Sequence, residues 1–192
     1  MNDLLAATPG QTIGPFYGYA LPYNRDHELV PPTYARAVRL HGTVYDGHGM
    51  PIPDALVEIR QADESGVVPV VEGSLRRDGT VFTGWGRCAV DPSGRYTFTT
   101  VEPGPATVAA PPFFAIVVFA RGLLNRLFTR AYLPGDTDAL SRDALLSSLD
   151  ERRRKTLIAA SQPDGSLRFD IRLQGDDETV FLTFPRHEEC AP

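Results

Sequence analysis

The chain has 192 residues, 42% of them apolar and 22% charged, and a net charge of −5. That suffices for one domain with a real core, and an acidic chain without a basic block leaves no footprint for nucleic acid or an anionic membrane surface. Its two cysteines, Cys88 and Cys190, lie far apart and outside any Cys-x-x-Cys or Cys/His cluster, which excludes a zinc site and a disulfide framework.

The N-terminal MNDLLAATPG lacks the charged and apolar regions of a signal peptide, so the cytoplasm is the expected location. Residues 1–35 read as an extended arm. From Thr8 to Tyr34 they hold five prolines and four tyrosines with no helical or strand period. Proline and glycine at this density prevent a helix, while the aromatic content predicts that part of the arm lies against a partner chain. Residues 36–192 are expected to form one domain.

The 17 glycines and 17 prolines of the chain are spread along it between β-branched runs, which predicts many short strands joined by tight turns. Arg36–Tyr45 alternates as a strand and Asp46–Gly49 turns it. Ala55–Gln61 is a half-buried strand, and Ala62–Thr83 is a long loop without period. Gly86–Ala89 and Arg95–Thr100 flank DPSG, predicting a hairpin.

The longest apolar run, Pro111–Ala120, is too short to span a membrane and reads as a strand buried on both faces. A second strand follows around Thr129–Leu133. Ser141–Arg154 is the single helix candidate, with Ser141 as its cap and Leu145, Leu146 and Leu149 at helical spacing. Its basic end, Arg152–Lys155, suits the helix dipole and reads as solvated. Ser166–Gln174 alternates with Leu167, Phe169, Ile171 and Leu173 on one face, and Thr179–Phe184 is a last short strand. Seven to nine strands and one short helix predict an all-β fold, an antiparallel β-sandwich with long excursions.

No self-contained catalytic set is visible. His27, His41, His48 and His187 form no local metal pair, no serine sits in a G-x-S-x-G elbow, and no glycine run forms a P-loop. Paired carboxylates occur only in runs that read as solvated loops. Arg130 stands apart, because the apolar neighbours in FTRAYL place its guanidinium in a partly buried setting. It either pairs with one of the chain's own carboxylates or recognises a carboxylate or phenolate ligand.

Five segments in order, TPGQTIGPFY from Thr8, LHGTVYDGHGMPIPDALVEIRQAD from Leu40, GRCAVDPSGRYTFTTVEPG from Gly86, FARGLLNRLFTRAYLPGD from Phe119 and RFDIRLQGDDETVFLTF from Arg168, together cover nearly the whole chain. The chain resembles the intradiol ring-cleaving dioxygenases, and among them the α chains of the two-chain members. The resemblance implies a transthyretin-like sandwich and a non-haem ferric ion held by two tyrosines and two histidines, hard donors for a hard ion. At the four ligand positions of the pattern this chain has Val68, Ala106, Phe113 and Ala115, and no Tyr or His occurs between Tyr96 and Tyr132.

The expectation is therefore that Fe(III) is bound by the β subunit of a hetero-oligomer of αβ pairs and not by this chain. The activity implied is cleavage of protocatechuate by O2 to 3-carboxy-cis,cis-muconate, with the pocket walled partly by Thr12, Gly14, Pro15, Phe16 and Arg130. Thr12 either caps a turn or contacts substrate, and Phe16 replaces a tyrosine common in related chains, removing a hydroxyl. Two other readings stay open: a stand-alone dioxygenase with repositioned ligands, and a non-catalytic sandwich that binds a ligand or scaffolds other proteins.

Overall fold

The computed structural model describes residues 14, 17–71, 81–107 and 110–184, and within them the chain alternates between two sheets. In chain order the elements are α1 (Tyr17–Ala20), β1 (Val38–Tyr45), β2 (Leu56–Arg60), β3 (Trp85–Ala89), β4 (Arg95–Thr100), β5 (Phe113–Phe119) and β6 (Leu127–Tyr132). There follow α2 (Thr137–Arg142), α3 (Ala144–Ser147), α4 (Glu151–Lys155), β7 (Ala160–Ser161), β8 (Leu167–Arg168) and β9 (Ile171–Arg172). One sheet runs β4-β1-β8-β7 with β9 also on β1, and the other runs β3-β2-β5-β6. The all-β sandwich expectation holds, although β1 pairs with β8 and β9 in parallel.

The core lies between the sheets because alternate residues point inward. Leu40, Val44, Tyr96 and Phe98 from the first sheet share one buried cluster with Val57, Ile59, Phe114, Ile116 and Val118 from the second. Gly42 falls on the same inward row of β1. A Cβ there would lie 1.9 Å from the Phe169 carbonyl oxygen, so the crossing of backbone over β1 admits only glycine. Tyr96 donates its hydroxyl to that same carbonyl.

The turns share a device readable in the sequence. Asp46, Asp63 and Asp91 each begin an Asp-x-x-Gly stretch, and each Oδ1 accepts the amides two and four residues on, at 2.8–3.1 Å. The glycines that close them, Gly49, Gly66 and Gly94, have φ of 76°, 90° and 74°.

Several expectations need correction. The DPSG turn does not make a hairpin: β3 pairs with β2 while β4 pairs with β1, so Asp91–Gly94 carries the chain from one sheet to the other. The apolar run of β5 is not buried on both faces. Phe114, Ile116 and Val118 are buried, but Phe113, Ala115, Val117 and Phe119 are only half-buried on the opposite face.

The predicted strand Ser166–Gln174 keeps its inward residues but splits into β8 and β9. At the break the Thr43 amide donates to Asp170 Oδ1 at 3.1 Å instead of to a backbone carbonyl. The last strand, Thr179–Phe184, reduces to a single bridge between Leu182 and Phe128.

The single helix capped at Ser141 is instead three short ones, α2 to α4, capped by Asp136, Asp143 and Asp150. Each aspartate takes amide donors of the following turn, and Asp143 and Asp150 sit in extended backbone that a continuous helix could not contain. Leu140 and Leu146 from this segment form a second cluster with Tyr132, Leu157 and Val180. With α1 at the start of the chain, the one-helix expectation becomes four helical turns. Among the described residues no helix is long and apolar enough to cross a membrane.

Candidate functional site

The outer face of the second sheet carries Arg130, one of the predicted site residues. Period-two alternation puts Phe113, Ala115, Val117 and Phe119 of β5 on that face, and the antiparallel register sets them against Tyr132, Arg130, Phe128 and the strand end. Ala115, opposite Arg130, is small enough to let the long side chain lie along the strand. The guanidinium carbon sits 4.3 Å from the centre of the Phe113 ring, a cation–π stack.

One of its nitrogens, Nη1, donates to the Tyr132 hydroxyl at 3.0 Å, and that hydroxyl donates to Asp143 Oδ1 at 3.1 Å. Burial raises the Tyr132 phenol above its ordinary value, so it stays protonated and keeps this direction of donation. The expectation that Arg130 is partly buried holds. No carboxylate among the described residues pairs with it directly, contrary to the simpler of its two readings. Its partners are a tyrosine and an aromatic face.

Beside Phe113 opens a cleft of about 170 Å³ lined by Val68, Ala106, Phe113 and Ala115 together with Arg60 and Gln61. The first four are the positions at which the resemblance led us to expect the family's metal ligands. They come from β5 and from two separate loops, so only the tertiary structure brings them to one place. All four present hydrocarbon and none could hold a ferric ion.

Gln61, the polar residue beneath, is fully used. Its Nε2 donates to the Ala62 and Val101 carbonyls at 3.1 and 2.9 Å, and its Oε1 accepts from the Thr100 hydroxyl. Among the described residues no group of three or more His, Cys, Asp or Glu could hold a metal. A larger cleft of about 760 Å³, along Tyr23, Asp26, His27 and Asp91, lies away from both Arg130 and these positions.

Within the predicted arm of residues 1–35, the stretch 17–23 lies on the chain's own domain. The Tyr17 hydroxyl donates to the Asp54 carbonyl, and burial, with the Asp54 charge beside it, pushes the phenol up to about 12. Arg87 donates to the Leu21 carbonyl at 2.8 Å, holds Glu58 at 2.6 Å and stacks on Trp85, on which Tyr23 also stacks. Of the predicted arm residues, Thr12, Pro15 and Phe16 lie outside the described residues. Gly14 is exposed, and a Cβ there would meet nothing within 4 Å. The structure thus does not bring Gly14 and Arg130 into one site of this chain.

Sequence reasoning missed Tyr132 and Asp143. The Arg-x-Tyr spacing of FTRAYL, which sets both side chains on one strand face, was the available signal for the first. Nothing in the sequence announced that Asp143 folds back over it.

The family described as Dioxygenase matches residues 14–175. The protocatechuate 3,4-dioxygenase alpha chain of Burkholderia cepacia is 36% identical over 194 residues, covering 93% of this chain and 98% of that one. The beta chain from the same organism is 33% identical over 153 residues, covering 72% of this chain and 64% of its own length. Among solved structures, the dioxygenase domain of a dioxygenase and carbohydrate-binding fusion protein from Streptomyces sp. SirexAA-E superposes with a TM-score of 0.60. It is 23% identical and covers 88% of this chain and 99% of that one, a likeness of fold. A match over most of the chain, relatives above 30% identity along nearly its full length, and the sandwich itself agree: the chain belongs to the intradiol dioxygenase family.

Proposed function

We propose that this chain is the α-type subunit of a protocatechuate-cleaving intradiol dioxygenase, working with a β chain that carries the ferric ion. The observation that carries the reading is the pairing of a ligand-free relic with a retained arginine. The four ligand positions line a hydrocarbon cleft, while Arg130 keeps a stacked guanidinium with donors to spare. The reaction adds both atoms of O2 across the bond between the hydroxylated carbons of protocatechuate, giving 3-carboxy-cis,cis-muconate.

In this reading Arg130 pairs with the substrate carboxylate, a task its planar fork suits. Thr12, Gly14, Pro15 and Phe16 of the arm shape the slot for the ring in the partner's pocket and exclude water from it.

The test is iron content and protocatechuate-dependent O2 uptake, measured for this chain alone and after co-expression with a β chain. The expected result is an iron-free, inactive chain that enters a coloured, O2-consuming complex. Stoichiometric iron or ring cleavage by the chain alone overturns the assignment of the metal to the partner. Failure to form any complex leaves a ligand-binding sandwich as the better reading.

A further inference from the structure

We propose that Tyr132 and Asp143 act as positioning residues that aim Arg130 at the substrate carboxylate; this rests on the role given to Arg130 above. Three observations fix the guanidinium in place. Its guanidinium carbon lies over the Phe113 ring at 4.3 Å, and its Nη1 is anchored on the Tyr132 hydroxyl at 3.0 Å. That hydroxyl is held in turn by Asp143 Oδ1 at 3.1 Å.

Asp143 cannot swing, because the same oxygen accepts the Leu145 and Leu146 amides, both at 3.0 Å, as the cap of α3. Tyr132 is fully buried in the cluster under the helices, so its ring has nowhere to go. The chain of donation runs one way. Tyr132 gives its proton to Asp143 and offers a lone pair to Arg130, which as a donor-only group accepts nothing.

One anchored nitrogen leaves Nε and Nη2 with no other hydrogen-bond partner among the described residues. A guanidinium held in this way presents its remaining edge to a planar carboxylate at little further cost in side-chain entropy. The helical excursion Thr137–Lys155 then has a purpose beyond covering β6. It delivers a fixed acceptor behind the tyrosine.

The test uses the assembled complex and compares protocatechuate with catechol, which lacks only the carboxylate. The readout is the ratio of kcat/KM for the two substrates, with complex assembly checked by gel filtration. Arg130→Gln is expected to lower that ratio by roughly 30-fold or more. Tyr132→Phe, which keeps the ring and removes the hydroxyl, should lower it by roughly 3–10-fold through KM for protocatechuate. Asp143→Asn keeps the helix cap, removes the charge and should shift the ratio in the same direction by less.

If Arg130→Gln lowers the ratio and Tyr132→Phe does not, the positioning proposal is overturned and the role of Arg130 stands. If neither lowers it, both fall. An equal loss on both substrates in Tyr132→Phe marks a structural role and also overturns the proposal. Should Tyr132→Phe fail to assemble, Asp143→Asn carries the test, and an unaltered ratio there overturns it.

Discussion

Two residues show how much a single position can decide. Arg130 lies half-buried on an aromatic ring with one nitrogen committed inside the chain, so its worth depends on what meets the rest of its fork. Arg130→Lys keeps the charge but loses both the stack and the bidentate geometry. Truncation, Arg130→Ala, should cost about 2–5 kcal/mol in protocatechuate binding, much of it from the unpaired anion, and Arg130→Lys should cost less, both read from the Kd of the assembled complex. Gly42 decides stability instead. Because a Cβ would sit 1.9 Å from the Phe169 carbonyl, Gly42→Ala must push β1 away from the segment joining β8 and β9. A loss of about 2–3 kcal/mol is expected, measured as a lower denaturation midpoint.

At the scale of elements, the Asp-x-x-Gly turns give a pH signature. The Ser93 hydroxyl, followed by the Arg95 amide, holds the Asp91 carboxyl below its ordinary value, Asp63 is held down by the Ser65 hydroxyl, and Asp164, in a separate Asp-Gly-Ser turn, by the Ser166 hydroxyl. A depressed carboxylate contributes stability that is complete above its unfolded value of about 3.9 and is lost as pH falls toward the folded one. The contribution of these carboxylates to the denaturation midpoint should therefore be flat near neutrality and fall below about pH 4, beneath the separate loss as His41, held below its ordinary value by burial, is forced to take up a proton. The advantage of the unaltered chain over Asp91→Asn should shrink below about pH 4. Gly94→Ala tests the backbone side of the turn. At φ 74°, with Val44 O 3.0 Å from the added carbon, it should cost about 1–2 kcal/mol at any pH.

Strand identity was legible because alternation of residues such as Leu40, Val44, Phe98 and Ile171 survives into the packed sandwich. Pairing was not. DPSG has the same chemistry whether the strands beside it join in a hairpin or separate into two sheets, and only the partners β1 and β2 settle that. The helices were misread for a related reason. Leucine spacing marks an apolar face, but whether Asp143 and Asp150 sit within a helix or cap the next one depends on where the chain must bend to cover Tyr132.

For the whole molecule, the outer face of β5 is only partly covered by the described residues. Phe113, Ala115, Val117 and Phe119 stay half-buried beside a hydrocarbon cleft, an arrangement suited to burial against a second chain. Val117→Lys should leave the isolated chain folded by circular dichroism while preventing co-purification with the β chain. If the complex still forms, that face is not the shared surface. The sandwich class and the family were legible in the amino-acid sequence alone, because both are written in local pattern and residue identity. Only the tertiary structure decided that Val68, Ala106, Phe113 and Ala115 line one cleft, and that Asp143 reaches Tyr132 behind Arg130. Those contacts join segments far apart in the chain, and their geometry comes from how the two sheets and the helical excursion pack.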